Sequence, residues 1–250
     1  MPSFRPVRAL SFDCYGTLID WETGLERALA PLAARAKDDL PAQEILGRFA
    51  SEEHRIQQLH PTLPYDRVLA ETHRALSHAW EAPATDADHE AFAASLGTWP
   101  PFPDSRAALA RLGRRFHLAI LSNVTRDGIA ASVSLLGMRF DTILTAEDIG
   151  SYKPDPRNFE ALLRHLDRHH GIQPHELLHV AQSQFHDIVP ASRLGLSTAW
   201  IDRQNLAEGG SFGATKALTA LARPTWRFRS LVELADAVDA ELAAAAGKPA

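Results

Sequence analysis

One cysteine among 250 residues excludes an intramolecular disulfide, and no Cys/His cluster has the spacing of a zinc site. No apolar run is long enough to span a membrane. The start, Met1-Pro2-Ser3-Phe4-Arg5-Pro6-Val7-Arg8, lacks the apolar stretch of a signal peptide. Positive charge is not in excess either. The 26 Lys and Arg stand against 31 Asp and Glu, a net charge of -5 that points away from nucleic acid. The one basic cluster, Arg111, Arg114 and Arg115, suits a helix C-terminus, where cations complement the macrodipole. There is no internal repeat. These absences point to a soluble, cytoplasmic protein with neither a membrane nor a nucleic-acid partner. A hydrophobic content of 45% suffices for a substantial core in one domain, or in a core with a smaller insert.

What is present alternates between strands and helices. Five apolar, β-forming runs recur at Ala9–Cys14, His117–Ser122, Phe140–Thr145, Leu177–Gln182 and Ser197–Ile201. Apolar spacing predicts helices over Asp104–Arg114 and over about 126–137, 156–170, 186–194 and 230–244. Right-handed crossovers between such units give an α/β fold, a Rossmann-like open parallel sheet with helices on both faces. Residues 21–98 break the rhythm, being helical in pattern with no convincing strand. They read as an inserted helical cap domain on a core formed by 1–20 and 99–250. Pro100-Pro101-Phe102-Pro103 is a stiff, extended return to that core. Residues 204–224, with Gly209, Gly210 and Gly213, read as a surface excursion, and the Ala-rich tail Glu241–Ala250 is expected to fray beyond its last helix.

Four sites with chemical potential fall at or just after strand ends, where open α/β sheets bind ligands. Asp13 closes the first apolar run and is followed at once by Tyr15-Gly16-Thr17-Leu18. A lone aspartate there is ordinarily a surface or capping acid, but this setting reads as a carboxylate nucleophile. Ser122 and Asn123 end the second run. Their hydroxyl and amide can bind an anion, and a plain turn accounts for them equally well. Lys153 lies in Ser151-Tyr152-Lys153-Pro154-Asp155-Pro156, a loop fixed by prolines, where an ammonium near Asp13 would keep that carboxylate ionised. Asp187 follows the fourth run and suits a helix N-cap, a role compatible with positioning or deprotonating water. Cys14 is adjacent to Asp13, but alternation along a strand turns its side chain away from the site.

The order Asp13, Ser122-Asn123, Lys153-Pro154 and Asp187, with a helical insert after the first strand, resembles the haloacid dehalogenase superfamily. Tyr15, in place of a second acid two residues after Asp13, points to its L-2-haloacid dehalogenase branch. The resemblance runs from about Arg8 to Leu234. It implies a hydrolase that releases halide from a short 2-haloacid, with Asp13 displacing halide to form an aspartyl ester. Water positioned by Asp187 would then cleave the ester while Lys153 holds the charges. Ser122, Asn123 and the backbone N–H groups of Cys14 and Tyr15 would bind the substrate carboxylate, and Tyr15 and Trp21 would wall the pocket. The family's halide-binding arginine lies in the cap, where Arg48 and Arg55 both qualify; a solvated helix face explains either one as well.

No cofactor is implied. The superfamily's phosphatases use Mg²⁺ and a second acid at the position of Tyr15, and another acid shortly before the one matching Asp187. Here Gln182, Ser183, Gln184, Phe185 and His186 precede Asp187, and none is acidic. Phe159 stands where the dehalogenases usually carry tyrosine, and Gln182 and Gln184 where they carry serine and asparagine. Two alternatives stay open: a Mg²⁺-dependent phosphatase-like hydrolase, and a catalytically silent protein that binds a small acid or a partner. The expected partner is a small halogenated carboxylic acid, and the helical insert offers a surface through which a homodimer can form.

Overall fold

The computed structural model describes residues 2–210 and 221–246. Six parallel strands, β1 (Ala9–Phe12), β2 (His117–Ser122), β3 (Thr142–Thr145), β4 (Leu177–Ala181), β5 (Ser197–Ile201) and β6 (Trp226–Phe228), form one sheet in the order β3-β2-β1-β4-β5-β6. β1 is central, and the chain passes first to one side of it and then to the other. The C-terminal ends of β1, β2 and β4 thus converge at a topological switch point. Two strands stop short of the apolar runs that announce them, at Phe12 and Ala181, because the chain leaves the sheet there to enter the site. β3 begins at Thr142 and not at Phe140. The three-residue β6 was not foreseen.

Strand alternation divides the apolar residues between two faces. Leu10, Phe12, Leu118, Ile120, Leu178 and Val180 join the larger cluster, packed by helices α5 (Ser105–Leu112), α6 (Arg126–Leu136) and α10 (Leu231–Ala246). Ala9, Ala119, Leu121 and Leu177 face the other way, beneath α8 (Pro156–His170) and α9 (Val189–Arg193). Both faces are covered, as a parallel sheet requires. Local signals fix the helix ends. Asp155 caps α8 by accepting the Arg157 N–H at 2.9 Å, Pro156 opens it, and Gly171 ends it in the left-handed conformation at φ 60°. A further short helix, α7 (Ala146–Ile149), precedes the Lys153 loop.

The stretch without strands folds as α1 (Trp21–Ala33), α2 (Ala42–Leu59), α3 (Tyr65–Ala79) and α4 (Asp86–Ala94). The segments that enter and leave it pair with each other. The Asp20 N–H donates to the Pro100 carbonyl at 2.8 Å and the Phe102 N–H to Leu18 at 3.0 Å, while Ile19 and Pro101 form an antiparallel bridge. Leu25, Leu29, Phe49, Leu69 and Trp99 belong to the same apolar cluster as Leu10 and Phe12, so the insert and the sheet share a core. Gly24 of α1 makes this junction tight, since a Cβ there would lie 2.3 Å from the Trp99 ring.

Of the surface excursion, the described part turns back on itself: the Asp202 carboxylate accepts the Leu206 N–H at 2.7 Å. Gly213 lies outside the described residues. α10 continues to Ala246, and the Glu241 carboxylate accepts the Phe4 N–H at 3.1 Å; the end of the Ala-rich tail lies outside the described residues. Among the described residues, no helix is long and apolar enough to cross a membrane.

Candidate active site

Asp13 emerges from the end of β1 and is 7% exposed. The turn after it needs Gly16, whose φ of +90° disfavours a side chain; a Cβ there would sit 3.1 Å from Gln182 Oε1 and Trp21 Nε1. The turn brings Thr17 back to donate its hydroxyl to Asp13 Oδ2 at 2.8 Å. Thr17 is itself held. Its Oγ1 accepts the Gln182 N–H at 2.9 Å, and its carbonyl accepts from Arg203 at 2.9 Å, with Arg203 paired to Asp104.

Lys153 is buried beside it. Its ammonium uses its three protons on Asp13 Oδ1 at 2.9 Å, Asp187 Oδ1 at 2.6 Å and the Leu121 carbonyl at 2.8 Å. The lysine backbone is clamped by Asn123, whose Oδ1 accepts the Lys153 N–H at 2.7 Å and whose Nδ2 donates to the Lys153 carbonyl at 3.1 Å. Asn123 lines the site, yet its amide holds the lysine loop where an anion-binding role was expected. The neighbouring Tyr152 donates its hydroxyl to the Leu63 carbonyl, between α2 and α3, and so joins the lysine loop to the insert.

Asp187 does not cap a helix. A π-helical turn runs over Gln184–Ile188, a feature often found at functional sites, and Ser183 caps it by accepting the His186 N–H at 3.0 Å. This frees Asp187 to point inward, fully buried. Its Oδ1 takes a second hydrogen bond from His179 Nε2 at 3.0 Å. Because an ionised carboxylate only accepts, Nε2 carries the proton and Nδ1 accepts from the Ser11 hydroxyl at 2.8 Å. Ser11 and His179 are register partners in β1 and β4, and Phe159 packs edge-on to the imidazole with centroids 5.0 Å apart. Oδ2 of Asp187 has no partner among the described residues.

Burial sets the electrostatics, and the ion cluster answers it. Desolvation acts against the charged form of Asp187, but Lys153 and His179 hold its carboxyl down at about 2. Desolvation raises the Asp13 carboxyl; Lys153 opposes this and the Asp187 charge adds to it. Burial likewise disfavours the Lys153 ammonium, yet its two carboxylates raise its affinity for the proton above the ordinary value. The cluster is one cation between two carboxylates, each oriented by a further donor.

A cavity of about 50 Å³ opens above these groups. Asp13, Tyr15, Trp21, Ser122, Asn123, Lys153 and Asp187 line it, seven of the residues expected at the site. Tyr15 presents its ring, its hydroxyl being bonded to Ser132 Oγ at 2.8 Å. Ser122 Oγ and Trp21 Nε1 are buried and unpartnered among the described residues, so both are available to a ligand.

Three expected residues stand elsewhere. The Cys14 side chain is buried away from the cavity, its carbonyl is turned to the Leu18 and Ile19 N–H groups, and burial pushes its thiol well above the usual range, so only its backbone N–H remains for the site. Arg48 pairs with Glu44 at 2.6 Å and Arg55 with Glu52 at 2.8 Å, both on the solvent side of α2. The helical period explains this, since the inward face of α2 carries Phe49, Glu53, Ile56 and Gln57. Glu53 and Gln57, with Tyr65 from α3, complete the cavity wall and were missed. So were Thr17, Ser11 and His179.

Among the described residues, no three His, Cys, Asp or Glu side chains are grouped to hold a metal, and both aspartates turn Oδ1 to the ammonium.

The family model of haloacid dehalogenase-like hydrolases matches residues 7–195. An (S)-2-haloacid dehalogenase, H-109, of Pseudomonas putida is 27% identical over 252 residues, covering 93% of this chain and 98% of the relative. The crystal structure of the L-2-haloacid dehalogenase PA0810 superposes with a TM-score of 0.75 at 25% identity, over 94% of this chain and 99% of that one. The L-2-haloacid dehalogenase of Xanthobacter autotrophicus with chloropropionic acid covalently bound has the same fold, with a TM-score of 0.74 at 19% identity over 93% of this chain and 98% of that one.

Proposed function

The chain belongs to the haloacid dehalogenase-like hydrolases, and from that membership and its site geometry we propose that it hydrolyses the carbon–halogen bond of short 2-haloacids without a metal. One observation carries this reading: the buried Asp13–Lys153–Asp187 cluster at the sheet edge, lining the cavity, with Asp187 Oδ2 left without a partner among the described residues. We take residues 21–98 as the cap and 1–20 with 99–250 as the core.

Asp13 is the nucleophile. An oxygen of its carboxylate attacks the halogen-bearing carbon, a C–O bond forms, and the halide leaves with the electron pair of the C–X bond. Lys153 and Thr17 fix the plane of the carboxylate beforehand, so the attack needs little reorganisation. A halide is a stable anion and needs no proton to leave. An acid at the position of Tyr15 is therefore dispensable, and the tyrosine ring serves as wall. The substrate carboxylate meets the free Ser122 hydroxyl and the N–H groups following Asp13. Water held by Asp187 Oδ2 then attacks the ester carbonyl, releasing the 2-hydroxy acid and restoring Asp13. A carboxyl held at about 2 is a weak base. Its chief contribution is to orient the water, taking the proton as the new C–O bond forms.

The test is halide release from 2-chloropropionate in the presence of EDTA, followed by a single turnover in ¹⁸O water. The expected result is EDTA-resistant release, with the label in Asp13 and an unlabelled first product. Magnesium-dependent phosphate release from a generic ester, without halide release, would overturn the reading in favour of a phosphatase. Label appearing directly in the first product would exclude the aspartyl ester.

A further inference from the structure

The insert lines the cavity with an acid where a cation was expected. Phe49, Glu53 and Gln57 follow one another at four-residue spacing on the inward face of α2, and the Phe49 ring meets Trp21 edge-on with centroids 6.4 Å apart. Glu53 is 7% exposed and makes no ion pair among the described residues. Its Oε1 accepts from the Tyr65 hydroxyl at 2.6 Å and from Gln57 Nε2 at 3.3 Å, which leaves Oε2 for a proton or a ligand. Trp21 contributes an indole N–H, nine-tenths buried and unpartnered.

Asp13 comes from the sheet edge and this group from the opposing insert. In-line displacement sends the leaving group away from the nucleophile, toward the insert wall. We propose that Glu53 in its neutral form, together with the Trp21 indole N–H, receives the departing halide by hydrogen bonding, in place of a cationic side chain. The proposal rests on the dehalogenase reading of the same site. Glu53 keeps its proton throughout: the C–X electron pair leaves with the halide, which accepts hydrogen bonds and departs as an anion. Ionised, Glu53 would repel both the substrate carboxylate and the halide.

Burial makes the neutral form available, pushing the Glu53 carboxyl up to about 7 although the Tyr65 hydrogen bond works the other way. The titratable groups facing it are Tyr65 of α3, Tyr152 of the lysine loop, Tyr15 and, across the cavity, Asp13, Lys153, Asp187 and His186. The tyrosine hydroxyls stay neutral, burial raising each of them. Lys153 and Asp187 keep their charges near neutrality.

Bromide ion alone is the binding probe, measured by equilibrium titration from pH 5.5 to 9 alongside the pH profile of kcat/KM for halide release. In the native protein, bromide affinity and kcat/KM should both fall about tenfold per pH unit above about 7. Glu53→Gln, a permanently neutral donor, should abolish the fall in both. Tyr65→Phe removes a bond that favours the ionised form, and should move the fall to higher pH. An identical fall in native protein and Glu53→Gln, or bromide affinity independent of pH in both, would overturn the proposal. Bromide binding with these dependences but no halide release would leave the halide subsite standing and overturn the haloacid reading instead.

Discussion

His179 shows how a side chain outside the cavity governs the chemistry within it. With Ser11 on one nitrogen and Asp187 on the other, it helps hold Oδ1 of the Asp187 carboxylate and leaves Oδ2 without a partner among the described residues. The two half-reactions should therefore respond differently to its loss. His179→Leu should retain halide release in the first turnover and slow ester hydrolysis about 10- to 100-fold, the scale of a misplaced reacting group. Intact-protein mass spectrometry during turnover would then show the carboxyalkyl ester of Asp13 accumulating; rapid clearance of this adduct would contradict this. Asp13, Lys153 and Asp187 are legible in the sequence because each sits in a short motif of turn-forming residues. His179 and Ser11 are not. Their meeting depends on the register of two strands separated by 168 positions in the chain, which no local pattern records. The exchange of arginine for Glu53 on the inner face of α2 likewise depends on a helical phase that the insert's mixed composition conceals.

Whole elements were easier to read than their junctions. The strands β1 to β5 show as apolar runs because a sheet covered on both faces needs them, and α8 shows through its apolar stripe and its Asp155-Pro156 start. β6 escaped because three half-buried or exposed edge residues carry no such signal. The start of the π-helical turn was misplaced because Ser183, and not Asp187, supplies the cap. Close packing between elements leaves still less trace. Gly24 lies against Trp99 so tightly that Gly24→Ala must displace α1 or the ring. Overpacking of this kind costs about 1–3 kcal/mol, to be read as a lower urea midpoint at unchanged slope. Trp21 begins the same helix, so halide release should weaken along with stability. An unchanged midpoint would show that the junction yields freely.

For the molecule as a whole, acid should loosen the insert first. His73 of α3 and His89 of α4 are buried and joined through their Nδ1 atoms at 2.7 Å, an arrangement that needs at least one neutral ring. Burial and the neighbouring His89 hold the His73 imidazole down at about 4. The unfolded chain takes up this proton near 6.5 and the folded chain does not, so the stabilisation is complete above that pH. It declines as the pH falls toward 4. The urea midpoint should drop between pH 7 and 5, and the drop should be smaller in His73→Phe; equal drops would assign the acid sensitivity elsewhere.

The hydroxyl of Tyr152 on the Leu63 carbonyl has one more consequence. The chamber of about 50 Å³ lies between the insert and the sheet edge, and this bond ties its two walls together. Any motion that parts them must break this bond or carry Tyr152 along with it, and the next residue in the chain is Lys153. One hydroxyl thus makes the placing of the ammonium answerable to the insert: the wall that shapes the chamber also steadies the loop from which Lys153 reaches its carboxylates.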